Sequence, residues 1–347
     1  MIKAINAAGM QNDGVPFKKP TVDLAELAEI TSSGRLTWIE CVVDSIIDEA
    51  PKILEKCGIT MDASLLLSGY VSSYEDRGET LGLMIPFVVP GNNKAQTAPI
   101  LIFMKKDLIL TIHDDYGGKI TRLYNYAPTL LRKLPKDVDT WADRQTILLA
   151  RIIDEICEAN FSILRLIVER AEQFEIDIAG SRQITRDISL ELSDMKTSLL
   201  TFLNAIWASY DTVHNLKYGD AEMVSDDEVI LGKFEVILGR LDRQIQMAEN
   251  VMQMVATGVN VVQAEVTNKV TIFIIWWTVA GTAALVPNTL ATVFGLYPNH
   301  EQLFGPISYG LILSAILSTA FAYYYVKKFF GKSLGIEKLK RFRRKST

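Results

Sequence analysis

The sequence is poor in the groups that most enzymes use. It has only three cysteines and three histidines in 347 residues. Cys41, Cys57 and Cys157 stand far apart with no CxxC pair, which argues against a disulfide scaffold or a thiolate metal site and reads as packing thiols in a reducing compartment. His113, His214 and His300 lack HExxH or other metal-ligand spacing and read as ordinary polar residues. His113 with Asp114 and Asp115 reads as a solvated trio closing a strand. No GxxxxGK[ST] or GxGxxG loop occurs, and no nucleophile–base pair stands out, so nothing points to an enzyme. The opening, MIKAINAAGMQNDGVPFKK, has no apolar signal core, and the N-terminus is expected in the cytoplasm. The sequon Asn160-Phe161-Ser162 would be inert there.

Two long stretches lack charge altogether. Neither 270–294 (VTIFIIWWTVAGTAALVPNTLATVF) nor 306–326 (PISYGLILSAILSTAFAYYYV) contains Asp, Glu, Lys, Arg or His. Each exceeds the ~18–20 residues that cross a hydrocarbon core about 30 Å thick. Two such neighbours read as transmembrane helices rather than as buried helices of a soluble core. The loop between them, GLYPNHEQLFG, has no Lys or Arg, whereas nine follow the second stretch. The positive-inside rule then puts both termini in the cytoplasm and the loop outside, in a multi-pass protein of the cell membrane. Those nine cations against Glu301 and Glu337 make residues 270–347 +7, so with a total of −5 the first 269 residues carry −12. The basic tail is expected to lie on anionic lipid. An acidic body attracts cations and gives no support to nucleic-acid binding.

The pattern predicts an α+β membrane protein: a flexible arm (1–19), a cytoplasmic α/β domain (20–135), a cytoplasmic helical stalk region (136–269), a two-helix transmembrane region (270–326) and a basic cytoplasmic tail (327–347). RLTWIECV reads as a strand, and Pro51 as the first residue of a short helix closed by Gly58. TLGLMIPFVVP reads as a strand with Pro86 at an edge, and APILIFMKKDLILTIHDD as a hairpin around Lys-Lys-Asp. Thr146–Phe174 and Ile188–Leu216 have helical spacing, and SDDE at 225–228 reads as an N-cap with acids on the helix dipole. From Asp226 no proline intervenes until Pro287, so one helix could reach Phe294, ~100 Å at 1.5 Å per residue. A helix so long needs neighbours, read here as copies of itself.

Within 270–294, Thr271, Thr278, Thr282, Thr289 and Thr292 follow one another at steps of seven, four, seven and three. At 100° per residue their hydroxyls fall within an arc of ~80°, with Phe273, Trp276 and Trp277 on the other side. Ile275 and Leu285 complete the stripe at the heptad spacing of a parallel bundle. Two readings follow: small interface residues bonded to their own backbone, or rings of hydroxyls around a pore. The demand for self-association favours the pore. A neutral oxygen lining suits a small cation that keeps its water, such as Mg²⁺.

Several segments, in order, resemble the CorA family of divalent-cation channels: RLTWIECVVDSIIDEAPKILEKCGI, APILIFMKKDLILTIHDD, LDRQIQMAENV and VPNTLATVFG, followed by the two-span C-terminus with its basic tail. The resemblance implies a funnel-shaped homopentamer whose first span lines the pore, with Thr278, Thr282 and Thr289 facing it. It implies transport of divalent cations, Mg²⁺ first, with self and membrane lipid as partners and no cofactor. The family's Gly-Met-Asn signature corresponds here to Gly295, Leu296 and Tyr297, so Tyr297 stands in for the filter asparagine, or Asn299 substitutes from the loop. Asn299 and Glu301 are the candidate metal positions at the outer mouth. Gly239 falls where the family carries an acid of its regulatory metal site. The altered signature keeps two alternatives open: another ion, Zn²⁺ or Co²⁺, or a non-conducting scaffold that retains the fold.

Overall fold

The computed structural model describes residues 1–32, 34–68, 73–91, 94–137, 140–180, 186–218, 221–295 and 304–330. They fall into two compact units, 1–259 and 260–347.

The first unit is built on a seven-stranded sheet: β1 (Ile2–Gln11), β2 (Pro16–Lys19), β3 (Gly34–Val43), β4 (Tyr74–Asp76), β5 (Thr80–Pro90), β6 (Ala95–Lys105) and β7 (Leu108–His113), in the order β2-β1-β3-β7-β6-β5-β4. The pair β3–β7 is parallel and all the others are antiparallel. The flexible arm expected at 1–19 is not there. Those residues form β1 and β2, and β1 pairs with β3 along its length, from Ile2↔Val43 to Gln11↔Gly34. Ala and Gly give β1 little strand propensity of its own, and its neighbour supplies the ladder.

Both faces of the sheet are covered, which is why β5 and β7 are buried at nearly every position instead of alternating. One face packs Ile39, Cys41, Leu101, Phe103, Leu110 and Ile112 against α2 (Ile46–Lys56) and α3 (Ala63–Leu67), with α1 (Leu27–Ser32) beside them. A fully buried aliphatic side chain of this kind contributes about 1.5–3 kcal/mol. On the other face Trp38 meets Tyr124 of α4 (Gly118–Asn125) edge-on, with ring centroids 6.0 Å apart, and its indole N–H donates to Thr111 Oγ1 at 3.2 Å. After the short α5 (Ala127–Leu131) come the long α6 (Trp141–Gly180) and α7 (Arg186–Tyr218), which pack on β5 and, for α7, also on β6. All three cysteines are buried and unpaired.

Pro51 is not the first residue of α2 but lies inside it. Ser45 starts the helix a turn earlier, its hydroxyl on Asp48 Oδ2 at 2.7 Å. The carbonyl that Pro51 leaves without a donor belongs to Ile47, an exposed residue, where water can serve it. Gly58 does close the helix, at φ +66°. The turn between β6 and β7 is Lys106-Asp107, with Asp107 at φ +62°.

Pro86 sits where β5 has no strand on its outer side, because β4 reaches only Leu81–Leu83. The side chain of Asn160, on α6, fills that place: the Val88 N–H donates to its Oδ1 at 2.8 Å, and its Nδ2 donates to the Pro86 carbonyl at 3.1 Å. The sequon residue is thus fully buried and works as one residue of a strand.

Candidate functional site: the free face of the long helix

The helix α8 runs from Glu228 to Gly295, and α9 from Phe304 to Phe330. Asp227 begins α8, its Oδ1 accepting from the Val229 N–H at 2.7 Å and the Ile230 N–H at 3.2 Å. Ser225 ties this start to α6, its hydroxyl donating to Asp143 Oδ1 at 2.5 Å and accepting from the Asp227 N–H at 3.1 Å, while its own N–H goes to Thr146 Oγ1 at 2.8 Å.

In the first unit one face of α8 is buried, through Ile230, Phe234, Ile237, Leu241, Ala248 and Val255. The rest of its surface is largely uncovered, including the exposed acids Glu228, Glu235, Asp242 and Glu249. Steps of three and four residues from Val229 through Lys233, Val236, Arg240 and Arg243 to Met247, Asn250, Met254 and Thr257 meet no buried residue. Val229 is 83% exposed and Val236 57%. In the second unit the stripe consists of Thr271, Thr278, Thr282, Thr289 and Thr292. There Thr271, Thr278, Thr289 and Thr292 are exposed and Thr282 is half-buried. Among the described residues of 270–294, Val279 is the buried one, ~80° round the helix from Thr271.

Each threonine hydroxyl donates to the carbonyl four residues back: Thr271 to Thr267, Thr278 to Ile274, Thr282 to Thr278, Thr289 to Leu285 and Thr292 to Asn288, at 2.8–2.9 Å. A hydroxyl has one hydrogen and two lone pairs. With the hydrogen committed to the helix, what each threonine offers outward is an acceptor and a methyl group. Both readings of the stripe are therefore compatible with the geometry, because backbone bonding does not remove the outward oxygen.

Gly295 is the last residue of α8. Leu296, Tyr297, Asn299 and Glu301 lie outside the described residues. Gly239 is exposed on the uncovered face, and a Cβ placed there would meet nothing within 4 Å. No group of three or more His, Cys, Asp or Glu able to hold a metal ion occurs among the described residues. The His113-Asp114-Asp115 trio is not a solvated cluster: His113 is buried against Glu40, Asp114 caps the next turn by accepting from the Tyr116 N–H, and Asp115 pairs with Lys3.

By length and composition, α8 contains a segment able to cross a membrane, with a mean hydropathy of 1.8 in its most apolar window. The family model for CorA-like Mg²⁺ transporter proteins matches residues 33–328, most of the chain. The chain belongs to the CorA-like Mg²⁺ transporter family. Members are transporters by the family's description. The complete CorA magnesium transporter of Methanocaldococcus jannaschii has the same fold, with a TM-score of 0.68 at 18% identity over 92% of this chain and 98% of that one. Full-length CmaX follows at 0.65 and 12% identity, over 94% and 97%. The cytoplasmic domain of ZntB from Vibrio parahaemolyticus gives 0.55 and 12%, over 76% and 98%. A comparison with curated proteins gives no match. Identities this low speak for the fold, and the chemistry has to be argued from the helix itself.

Proposed function

We propose that this CorA-like chain forms a homopentameric channel for divalent cations, Mg²⁺ first, in which copies of α8 surround an axis and the threonine stripe lines the path. The number five is carried over from the family resemblance. The observation that supports the reading is the placement of five threonines on one side of the span, where their hydroxyl hydrogens are committed to the helix and only acceptors face outward. A hydrated cation turns the hydrogens of its water shell outward, and a wall of acceptors receives them. A hydrated anion turns water oxygens outward and would need donors, which this wall lacks. Mg²⁺ dehydrates reluctantly, so a lining that handles the ion through its water suits it. The ion would first bind, with water between, at Gly295, Leu296 and Tyr297, with Asn299 and Glu301 near the mouth, and then pass the threonine rings. Both spans cross the cell membrane in this reading, with the termini in the cytoplasm and the basic tail on lipid.

The test replaces Thr282 or Thr289 with Val, which keeps the shape and deletes the oxygen. In a pore a narrow apolar ring gates by dewetting, and flux per assembled oligomer should fall at least about tenfold. At a merely structural interface the lost bond costs only ~0.6 kcal/mol on average, and flux should follow the amount of oligomer. Thr319, on α9, bonds to the Ala315 carbonyl at 2.7 Å and serves as the control, with little change expected on conversion to Val. Stripe variants that assemble and conduct like the parent refute the lining. The altered Gly295-Leu296-Tyr297 segment favours one second reading, a different ion. Vesicle uptake run with Mg²⁺, Zn²⁺ and Co²⁺ separates the two, and an assembled protein that passes none of them is a scaffold.

A further inference from the structure

The two uncharged stretches, 270–294 and 306–326, hold a single amide side chain between them, that of Asn288. It is exposed and makes no hydrogen bond among the described residues; only the backbone carbonyl of Asn288 is used, accepting from Thr292. An amide carries two donors and an acceptor, and leaving them unmet in hydrocarbon is costly. Nor does this one lean toward headgroup water. Asn288 lies six residues, ~9 Å, before Phe294, where the uncharged stretch ends. A helical side chain tilts back toward the N-terminus, which here means deeper into the span.

Asn288 stands in a column with two glycines. Gly281 precedes it by seven residues and Gly295 follows it by seven, so the three lie within ~40° of one another on the helix surface. A Cβ at Gly281 or at Gly295 would meet nothing within 4 Å. Nothing among the described residues therefore calls for Gly281, although a glycine inside a helix costs stability relative to alanine. The column faces away from the buried Val279, which is nine residues and ~180° from Asn288. It also lies ~80° from the middle of the threonine stripe.

We propose that this column is where the α8 helix of a second copy packs, with Gly281 and Gly295 letting the backbones come close and the Asn288 amide donating across the contact. This rests on the reading of α8 as a helix surrounded by its own copies. With the stripe turned to an axis, a face ~80° away is turned to a neighbour. The neighbour has what the amide needs, because each stripe hydroxyl keeps its hydrogen on its own helix and offers an acceptor outward. Small residues that admit a close backbone, and polar side chains that bond across, are how helices associate in lipid. A single buried asparagine also fixes register and copy number in helical bundles.

The experiment uses the full chain in uncharged detergent, with native mass spectrometry over a concentration series and cation flux per oligomer measured in vesicles. Asn288→Leu keeps the bulk and removes the amide. Gly281→Leu keeps the amide, fills the place of the glycine and favours the helix. Each should raise the concentration for half-assembly by about tenfold or more. On a face turned to lipid, Gly281→Leu would leave assembly as it is. Either variant assembling like the parent overturns the contact; if Asn288→Leu does so while conducting differently, the amide belongs to the ion path instead. A parent that assembles and passes no cation refutes the channel and leaves the contact standing. A parent that stays monomeric refutes both.

Discussion

Glu40 and His113 show what one residue can contribute when its partner is remote. His113 Nε2 lies 3.2 Å from Glu40 Oε1, Asn6 Nδ2 donates to Glu40 Oε2 at 3.0 Å, and the Thr121 hydroxyl adds a further bond. Burial pushes the Glu40 carboxyl up, but the groups donated by His113, Thr121 and Asn6 outweigh it and hold the carboxyl below its ordinary range. A carboxyl whose pKa is depressed on folding contributes stability above its unfolded pKa, and the contribution disappears as pH falls through the folded value. The chain should therefore lose stability below about pH 4.5, and Glu40→Gln should flatten that acid limb while lowering Tm at neutral pH. Tryptophan fluorescence melts across the range read this directly, with Trp38 two residues away in β3; an acid limb as steep in the variant as in the parent would sink the assignment. None of this was legible locally. His113 follows a strand and precedes two aspartates, which looks like a solvated end, and its partner is 73 residues away across the parallel β3–β7 pair.

Among the elements, what could be read from the sequence divides by range. The threonine stripe and the two long helices α6 and α7 rest on spacing within one segment, and the residues themselves display it. Pro86 announced a strand with a free side because a proline cannot donate to a neighbour. By contrast β1 exists through β3, and nothing in IKAINAAGMQ alone distinguishes a ladder from an arm. Asn160 was equally hidden, since a sequon on a helix says nothing of a strand 72 residues earlier. Its amide joins α6 to β5, so Asn160→Ala should strand the Val88 N–H and the Pro86 carbonyl inside the core. Each unsatisfied group costs about 1–3 kcal/mol, and the sum should lower Tm by several degrees in a thermal melt of the detergent-solubilised chain. A melting curve that overlays the parent would mean that the edge is served in another way.

For the molecule as a whole, family membership was legible because several weak resemblances stand in the right order, and the ion is not, because Gly295-Leu296-Tyr297 departs from the family pattern where selectivity would be set. The proposed orientation rests on charge bias and has a clean test. Glu301→Cys should react with a membrane-impermeant thiol reagent in intact cells, against a quiet background because Cys41, Cys57 and Cys157 are all buried. Labelling only after lysis would reverse the topology. The sheet sets a further boundary on how copies can meet. An open strand edge is a template for another strand, and pairing of that kind has no built-in end-point: each addition exposes a fresh edge, and the product is a fibre. Here β2 presents Pro16, Lys18 and Lys19 at one margin, β4 is three residues long at the other, and Asn160 occupies the free side of β5. Open-ended growth through strands is closed off, and association is left to helices, where a fixed number of copies can complete itself and stop.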